Sequence, residues 1–221
     1  MIDIFDIMGP IMVGPSSSHT AGAVRIGNMA RILLEEEPVK VKVLLHGSFA
    51  ETAVGHGTDK ALIAGLLGMS TDDLDIPNSF KIAREQGMEF SFDEVDLRDA
   101  HPNSVKLKLE GVNGKSLSMQ ACSTGGGRIL VQRISGVPLS FTGDYNTLII
   151  QCKDDRGNVA GVTFILSQAN VNVANMSFNR SSKGGDAIMV LETDEPIGER
   201  TLAQLRLLPG VRQVTYYEKE V

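Results

Sequence analysis

The sequence predicts a two-domain α+β protein, and two observations carry that prediction. Residues 148–221 alternate strand-like and helix-like segments in the order β-α-β-β-α-β. Residues 1–142 mix helical and strand periodicity without such a repeat. A turn cluster, Thr142-Gly143-Asp144-Tyr145-Asn146, stands between the two.

In the first domain, Ala21, Val24, Met29, Ile32 and Leu33 share one broad face at helical spacing, which predicts a helix ending near Glu37-Pro38. Val/Lys alternation predicts a strand over 39–45. Two short helical stretches flank Gly55-His56-Gly57, the second covering 58–67 with Thr58 as its N-cap. A further helix covers 78–86. Residues 105–109 and 116–121 read as a hairpin across Asn113-Gly114, and 128–134 as another strand.

In the second domain, 148–152 is short, apolar and β-branched, which predicts a buried strand. Asp154-Asp155-Arg156-Gly157-Asn158 is a turn. Val159, Val162, Leu166 and Ala169 then follow at helical spacing until Asn170. Ala174, Met176 and Phe178 alternate with Asn175, Ser177 and Asn179, the period of a half-buried strand. Lys183-Gly184-Gly185-Asp186 signals a hairpin into an apolar strand over 187–191. A helix through Leu202 and Leu205 stops before Pro209-Gly210, and 211–217 is the last strand. This order is the ferredoxin-like unit.

The chain has 221 residues, 42% of them hydrophobic and 22% charged, which suits globular domains and excludes a disordered or fibrous protein. Its 27 acidic and 21 basic residues give a net charge of −6, and the basic ones are scattered. Nucleic-acid binding needs clustered Lys and Arg to neutralise phosphates, so no nucleic-acid partner is expected. No segment approaches the roughly 20 apolar residues of a membrane span, and the first ten residues lack the basic start of a signal peptide. The two cysteines, Cys122 and Cys152, suit a reducing cytosol and lie in no metal-binding spacing. These features predict a cytoplasmic protein with no membrane partner and no metal site of its own.

Five segments are candidates for chemistry. Gly14-Pro15-Ser16-Ser17-Ser18-His19-Thr20 opens the first long helix, and hydroxyls beside unpaired helix-start N–H groups suit a carboxylate or phosphate. His19 there faces the positive end of the helix dipole, which favours its neutral form. Gly55-His56-Gly57-Thr58-Asp59 exposes an imidazole between glycines; a plain glycine-rich turn is the alternative. His46 reads as a packed or capping histidine at a strand end. His101-Pro102-Asn103 is a loop stiffened by its proline. Ser123-Thr124-Gly125-Gly126-Gly127 is either an anion-cradling loop or a sharp hairpin. Cys122 beside it reads as a small buried hydrophobe. In the second domain, Arg156, Gly157, Asn158 and Val159 begin a helix, while Asn172 and Asn175 begin the next strand. The two groups together could hold an amino acid, or be ordinary turn chemistry.

Taken together, the first four segments resemble, in order, the signature segments of the β chain of the iron–sulfur-dependent L-serine dehydratases. The resemblance spans essentially the whole chain. It implies an N-terminal accessory domain, similar to an allosteric-substrate-binding domain, and a C-terminal ACT domain over 148–221. The turn reads Asp155-Arg156-Gly157-Asn158 where Asp-x-Pro-Gly is frequent in ACT domains. The implied reaction converts L-serine to pyruvate and ammonia, with a [4Fe–4S] cluster binding the serine hydroxyl. Two isolated cysteines do not supply that cluster's ligands, so the resemblance places it on a partner α chain.

On the same resemblance His56 and His19 are the expected catalytic residues. Ser16, Ser17, Ser18, Thr20, His101, Asn103, Ser123, Gly125 and Gly126 are the expected substrate contacts. The ACT-like half is expected to self-associate and to bind a regulatory ligand near Arg156 to Val159 and Asn172 to Asn175, with L-serine the leading candidate. The chain alone is expected to be inactive. The alternative is a purely regulatory, amino-acid-binding subunit with no residue in the chemistry.

Overall fold

A computed structural model describes residues 11–219 and divides the chain into two compact units, 1–135 and 136–221. Residues 1–10, read above for a leader, lie outside the described residues, as do 220 and 221 at the end of the second predicted domain.

Unit 1 begins with a π-helical turn, Ser17–Ala21, that runs directly into α1 (Gly22–Leu34). Strand β1 (Pro38–Leu45) follows, then the short helices α2 (Ser48–Glu51) and α3 (Ala53–His56), and then α4 (Thr58–Leu66). A 3₁₀ turn, Ile76–Asn78, leads into α5 (Ser79–Glu85) and β2 (Glu89–Glu94). Strands β3 (Ser104–Gly111), β4 (Ser116–Gly125) and β5 (Arg128–Ile134) complete the unit. Through unit 1 the sheet runs β2-β1-β3-β4-β5, with only the β1–β2 pair parallel. The apolar alternation of β1 and β3 buries Val41, Val43, Val105 and Leu107. α1 packs on β4.

In unit 1, α1 and α4 pack backbone to backbone. Gly27 and Gly65 face each other, and a Cβ on Gly65 would lie 2.8 Å from Asn28 N and 2.9 Å from Gly27 Cα, and closer still to the Val24 carbonyl. Side chains extend the seam: Asn28 Nδ2 donates to the Met69 carbonyl at 2.8 Å and Arg31 Nη1 to the Leu66 carbonyl at 3.1 Å. Successive contacts run in the same direction along both helices, so they lie side by side with their N-terminal ends together.

Unit 2 contains β6 (Val137–Phe141), β7 (Asn146–Lys153), α6 (Asn158–Gln168), β8 (Val173–Arg180), β9 (Asp186–Thr193), α7 (Glu199–Arg206) and β10 (Val211–Tyr217). Its four-stranded sheet has the order β10-β7-β9-β8, antiparallel throughout. Order and connection together make the ferredoxin-like βαββαβ fold. One face carries Leu148, Ile150, Met189 and Leu191 against Val162, Leu166, Leu202 and Leu205 of the helices. Strand β6 lies against β8 and β9.

Four local expectations need correction. Gly57 rather than Thr58 caps α4, in left-handed backbone (φ 70), and Thr58 is the first helical residue, its buried hydroxyl without a hydrogen bond among the described residues. Strand β2 was not anticipated, because three carboxylates in Glu89-Phe90-Ser91-Phe92-Asp93-Glu94 hide its period-two phenylalanines. Phe90 and Phe92 pack on Phe80 of α5 at 4.9 and 5.8 Å between centroids. Strand β6 was also unforeseen, its Pro138 arguing against a strand. Finally, β8 is not half-buried in alternation. A bulge between Val173 and Asn175 breaks the period, and Ala174, Asn175 and Met176 are all exposed on this edge strand.

The α1–α4 seam gives the first prediction. Helix propensity opposes glycine by about 1 kcal/mol, but a branched side chain at Gly65 would meet backbone that has no room to yield. Gly65→Val is therefore expected to lower stability by about 1–3 kcal/mol, read as a lower urea midpoint at unchanged slope.

Candidate active site

The site is assembled around the start of the first helix. Ser16, in extended backbone, caps the π-helical turn, and its Oγ accepts from the His19 backbone N–H at 3.2 Å. The same Oγ lies 3.3 Å from His19 Nδ1. The other ring nitrogen, Nε2, lies 3.1 Å from Ser48 Oγ. The His19 ring meets buried Phe49 edge-on at 5.3 Å and His56 at 4.9 Å between centroids. Buried Thr20 donates its hydroxyl to the His56 carbonyl at 3.5 Å. The first two motifs, far apart in sequence, are therefore in contact.

Burial, and after it the neighbouring His56 imidazole, hold the His19 pKa below the ordinary imidazole value; a hydrogen bond with the Ser48 backbone partly opposes them. His19 is half-buried, whereas His56, the last residue of α3, is exposed. Gly57 turns the chain from α3 straight into α4. Among the described residues the His56 ring forms no hydrogen bond.

The other two motifs approach the same helix start. Gly47 packs on the Pro102 carbonyl, to which the Phe49 N–H donates at 3.5 Å, so the 101–103 loop lies beside Ser48. His101 is exposed, and its Nδ1 accepts from the Asn103 N–H at 3.1 Å, which makes its neutral ring the Nε2–H tautomer. No ring contact joins His101 to His19 or His56 among the described residues. The Asn103 carbonyl accepts from the Ser123 N–H at 3.0 Å. Ser123 is fully buried against Gly22, and its hydroxyl has no hydrogen-bond partner among the described residues. Ser123, Thr124 and Gly125 close β4, and Gly126 and Gly127 form the turn into β5, so the segment is a tight hairpin. A Cβ on Gly125 would come 4.0 Å from Ser18 Oγ, and Arg25 Nη1 ties the turn to α1 through the Gly127 carbonyl at 3.1 Å. Ser16, Ser17 and Ser18 are all half-buried.

Sequence reasoning missed Ser48 and Phe49. A serine just after a strand-end glycine carries no spacing signal; only folding brings it to His19. His46 is placed as expected, its Nδ1 held between the Val95 carbonyl and the Leu97 N–H, each at 3.2 Å.

In unit 2, Arg156 and Gly157 are exposed, and Gly157 caps α6 in left-handed backbone (φ 91). Asn158 Nδ2 donates to the Lys153 carbonyl at 2.7 Å, and Val159 is half-buried. Asn172 N–H donates to Glu195 at 2.7 Å and Asn172 Nδ2 to Asp194 at 2.6 Å; Asn175 Nδ2 donates to Glu192 at 2.9 Å. Asp154 accepts from Gly184 N–H at 2.9 Å and Arg180 Nη1 at 2.7 Å, which together hold its carboxyl below the usual range. The 154–158 loop therefore sits at the C-terminal end of β8, and Asn172 at the other end. A strand of eight residues spans about 26 Å. The two groups do not meet within one chain.

Cys122 and Cys152 are both buried, and burial pushes both thiols up. Among the described residues no cluster of three or more His, Cys, Asp or Glu is placed to hold a metal ion, and no helix is long and apolar enough to cross a membrane.

These features define a two-unit α+β chain with a histidine–hydroxyl site in one unit and a ferredoxin-like fold in the other. Residues 1–86 match the family described as serine dehydratase beta chain. The probable L-serine dehydratase, beta chain, of Bacillus subtilis (strain 168) is 41% identical over 212 residues, covering 96% of each chain. The L-serine dehydratase, beta chain, of Peptoniphilus asaccharolyticus is 38% identical over 196 residues, 88% of each. The chain belongs to the L-serine dehydratase β-chain family. It is also similar to the D-3-phosphoglycerate dehydrogenase of Bacillus subtilis (strain 168), 26% identical over 193 residues, 87% of this chain and 36% of that enzyme.

The depressed His19 pKa predicts a pH dependence of stability. The unfolded chain takes up that proton near the ordinary imidazole value, whereas the folded chain does so only at lower pH. Between the two values the unfolded state holds more protons, so stability falls as pH falls through that window. Urea unfolding across this pH range should show the fall, and His19→Gln should flatten it.

Proposed function

We propose that this chain completes the active site of an L-serine dehydratase whose cluster is held by an α chain. The observation that carries the proposal is the His19–His56 contact beside the serine-rich helix start. His56 is exposed, with no hydrogen bond to break among the described residues, and is suited to take the substrate α-proton. Ser17 and Ser18, with the unpaired N–H groups of a helix start, suit the substrate carboxylate. Thr20 positions the His56 backbone. His101, Asn103, Ser123, Gly125 and Gly126 form the outer wall, fixed by the Asn103–Ser123 hydrogen bond and the tie from Arg25 to the Gly127 carbonyl.

The cluster is assigned to the α chain on the chemistry of the donors. Thiolates are the cluster ligands, and the two thiols here are buried, raised in pKa and located in different units. The family name β chain supports the existence of that partner.

For unit 2 we propose self-association through the β8 edge. Its exposed Ala174, Asn175 and Met176 leave an open strand. Antiparallel pairing of two β8 strands would set Asn172 of one copy beside Arg156 to Val159 of the other, a seam for a regulatory amino acid such as L-serine. Donors of Asn172 and Asn175 are already held by carboxylates, so the ammonium end of such a ligand suits that side and its carboxylate the α6 start.

A purely regulatory role is the second reading. It is favoured by the likeness to D-3-phosphoglycerate dehydrogenase, since a segment shared with an enzyme named for another reaction suits a module that senses a ligand.

In the α–β complex, His56→Ala should lower turnover about 10²–10⁴-fold with iron content unchanged. Wild-type turnover with an altered serine saturation curve would select the regulatory reading instead. Separately, Met176→Asp should place like charges across the paired edges and reduce the mass of the assembly in light scattering.

A further inference from the structure

We propose that Ser48 is a positioning residue which, with Ser16, holds the His19 ring as the Nε2–H tautomer and keeps it out of proton transfer. The functional weight of this inference rests on the active-site proposal above; its geometry does not.

The assignment follows from counting protons. Ser16 Oγ is already an acceptor, receiving the His19 backbone N–H at 3.2 Å as the cap of the helical turn. Its hydroxyl proton remains to be donated, and the acceptor the geometry offers is His19 Nδ1, 3.3 Å away. A nitrogen that accepts carries no proton, so the neutral ring has its hydrogen on Nε2. That N–H points at Ser48 Oγ, 3.1 Å away. Ser48 accepts it, and the serine's own proton is then free to turn outward. Both nitrogens of His19 are occupied, one by each serine.

Ser48 is itself held firmly. Gly47 before it has φ 55 and packs on the Pro102 carbonyl, a placement that a side chain would block. The Ser48 carbonyl accepts from Thr52 Oγ1 at 2.7 Å and Thr52 N–H at 3.1 Å, and Phe49 after it is fully buried. The 101–103 loop thus reaches His19 through Gly47 and Ser48. To act as a base His19 would have to give up its bond with Ser16, whereas His56 has none to give up among the described residues. A neutral His19 also leaves the adjacent ring, 4.9 Å away, free to accept a proton without like-charge repulsion.

The test is long-range ¹H–¹⁵N NMR of the full chain labelled at histidine. Wild type should show His19 as a single Nε2–H tautomer. Ser48→Ala should yield a mixture of tautomers, because the hydroxyl that receives the Nε2–H is gone, and Ser48→Thr should restore the single form. Where Ser48→Ala does not fold, Ser16→Ala and the wild-type spectrum carry the test. An Nδ1–H tautomer in wild type overturns the proposal, as does a Ser48→Ala spectrum identical to wild type. Because this readout needs no turnover, it stands or falls apart from the His56→Ala assay that tests the active-site proposal.

Discussion

The side-by-side approach of α1 and α4 is the constraint on which the site depends. Gly27 and Gly65 let the two helices touch backbone to backbone, and their shared direction puts both N-terminal ends at one place. One end carries Ser16 to Thr20, and the other carries His56, Gly57 and Thr58. Two positive dipole ends at one point favour an anion there. The same packing buries Thr20 and brings its hydroxyl to the His56 carbonyl. Without the small residues in the seam, the two motifs would be separated by the width of side chains.

Much of this was legible from sequence because the relevant signals are local. The unit 2 elements follow from turn chemistry and periodicity, as Lys183 to Asp186 and Gly157 show. The helix-start serines and the glycine-flanked histidine identify themselves by residue type. What was not legible is tertiary. Ser48 reaches His19 only because the chain turns at Gly47 against Pro102. Strand β2 is charged on one side because it is an edge strand, and its phenylalanines find Phe80 only after folding. The capping expectation at Thr58 failed because Gly57 in left-handed backbone already stops α3 and starts α4, leaving no extended residue for a hydroxyl cap.

Unit 2 shows the same separation of local from tertiary information. Residue type alone groups Arg156 to Asn158 with Asn172 and Asn175 as ligand contacts. The fold sets them at opposite ends of β8, because Arg180 at its far end is tied to Asp154. The β8 bulge then exposes consecutive residues, where strict alternation would have buried every second one. Both facts have one physical consequence: a ligand that needs both groups also needs a second chain.

The two histidines show how differently the fold can surround identical side chains. His19 is half-buried, its ring flanked by two hydroxyls and an edge-on phenylalanine, and its pKa is pushed down. His56 sits 4.9 Å away on a short exposed helix that ends in glycine. The contrast follows from position in the chain: His19 lies inside the first turn of a packed helix, so its ring is held against Phe49, whereas His56 ends a four-residue helix with no buried residue at all.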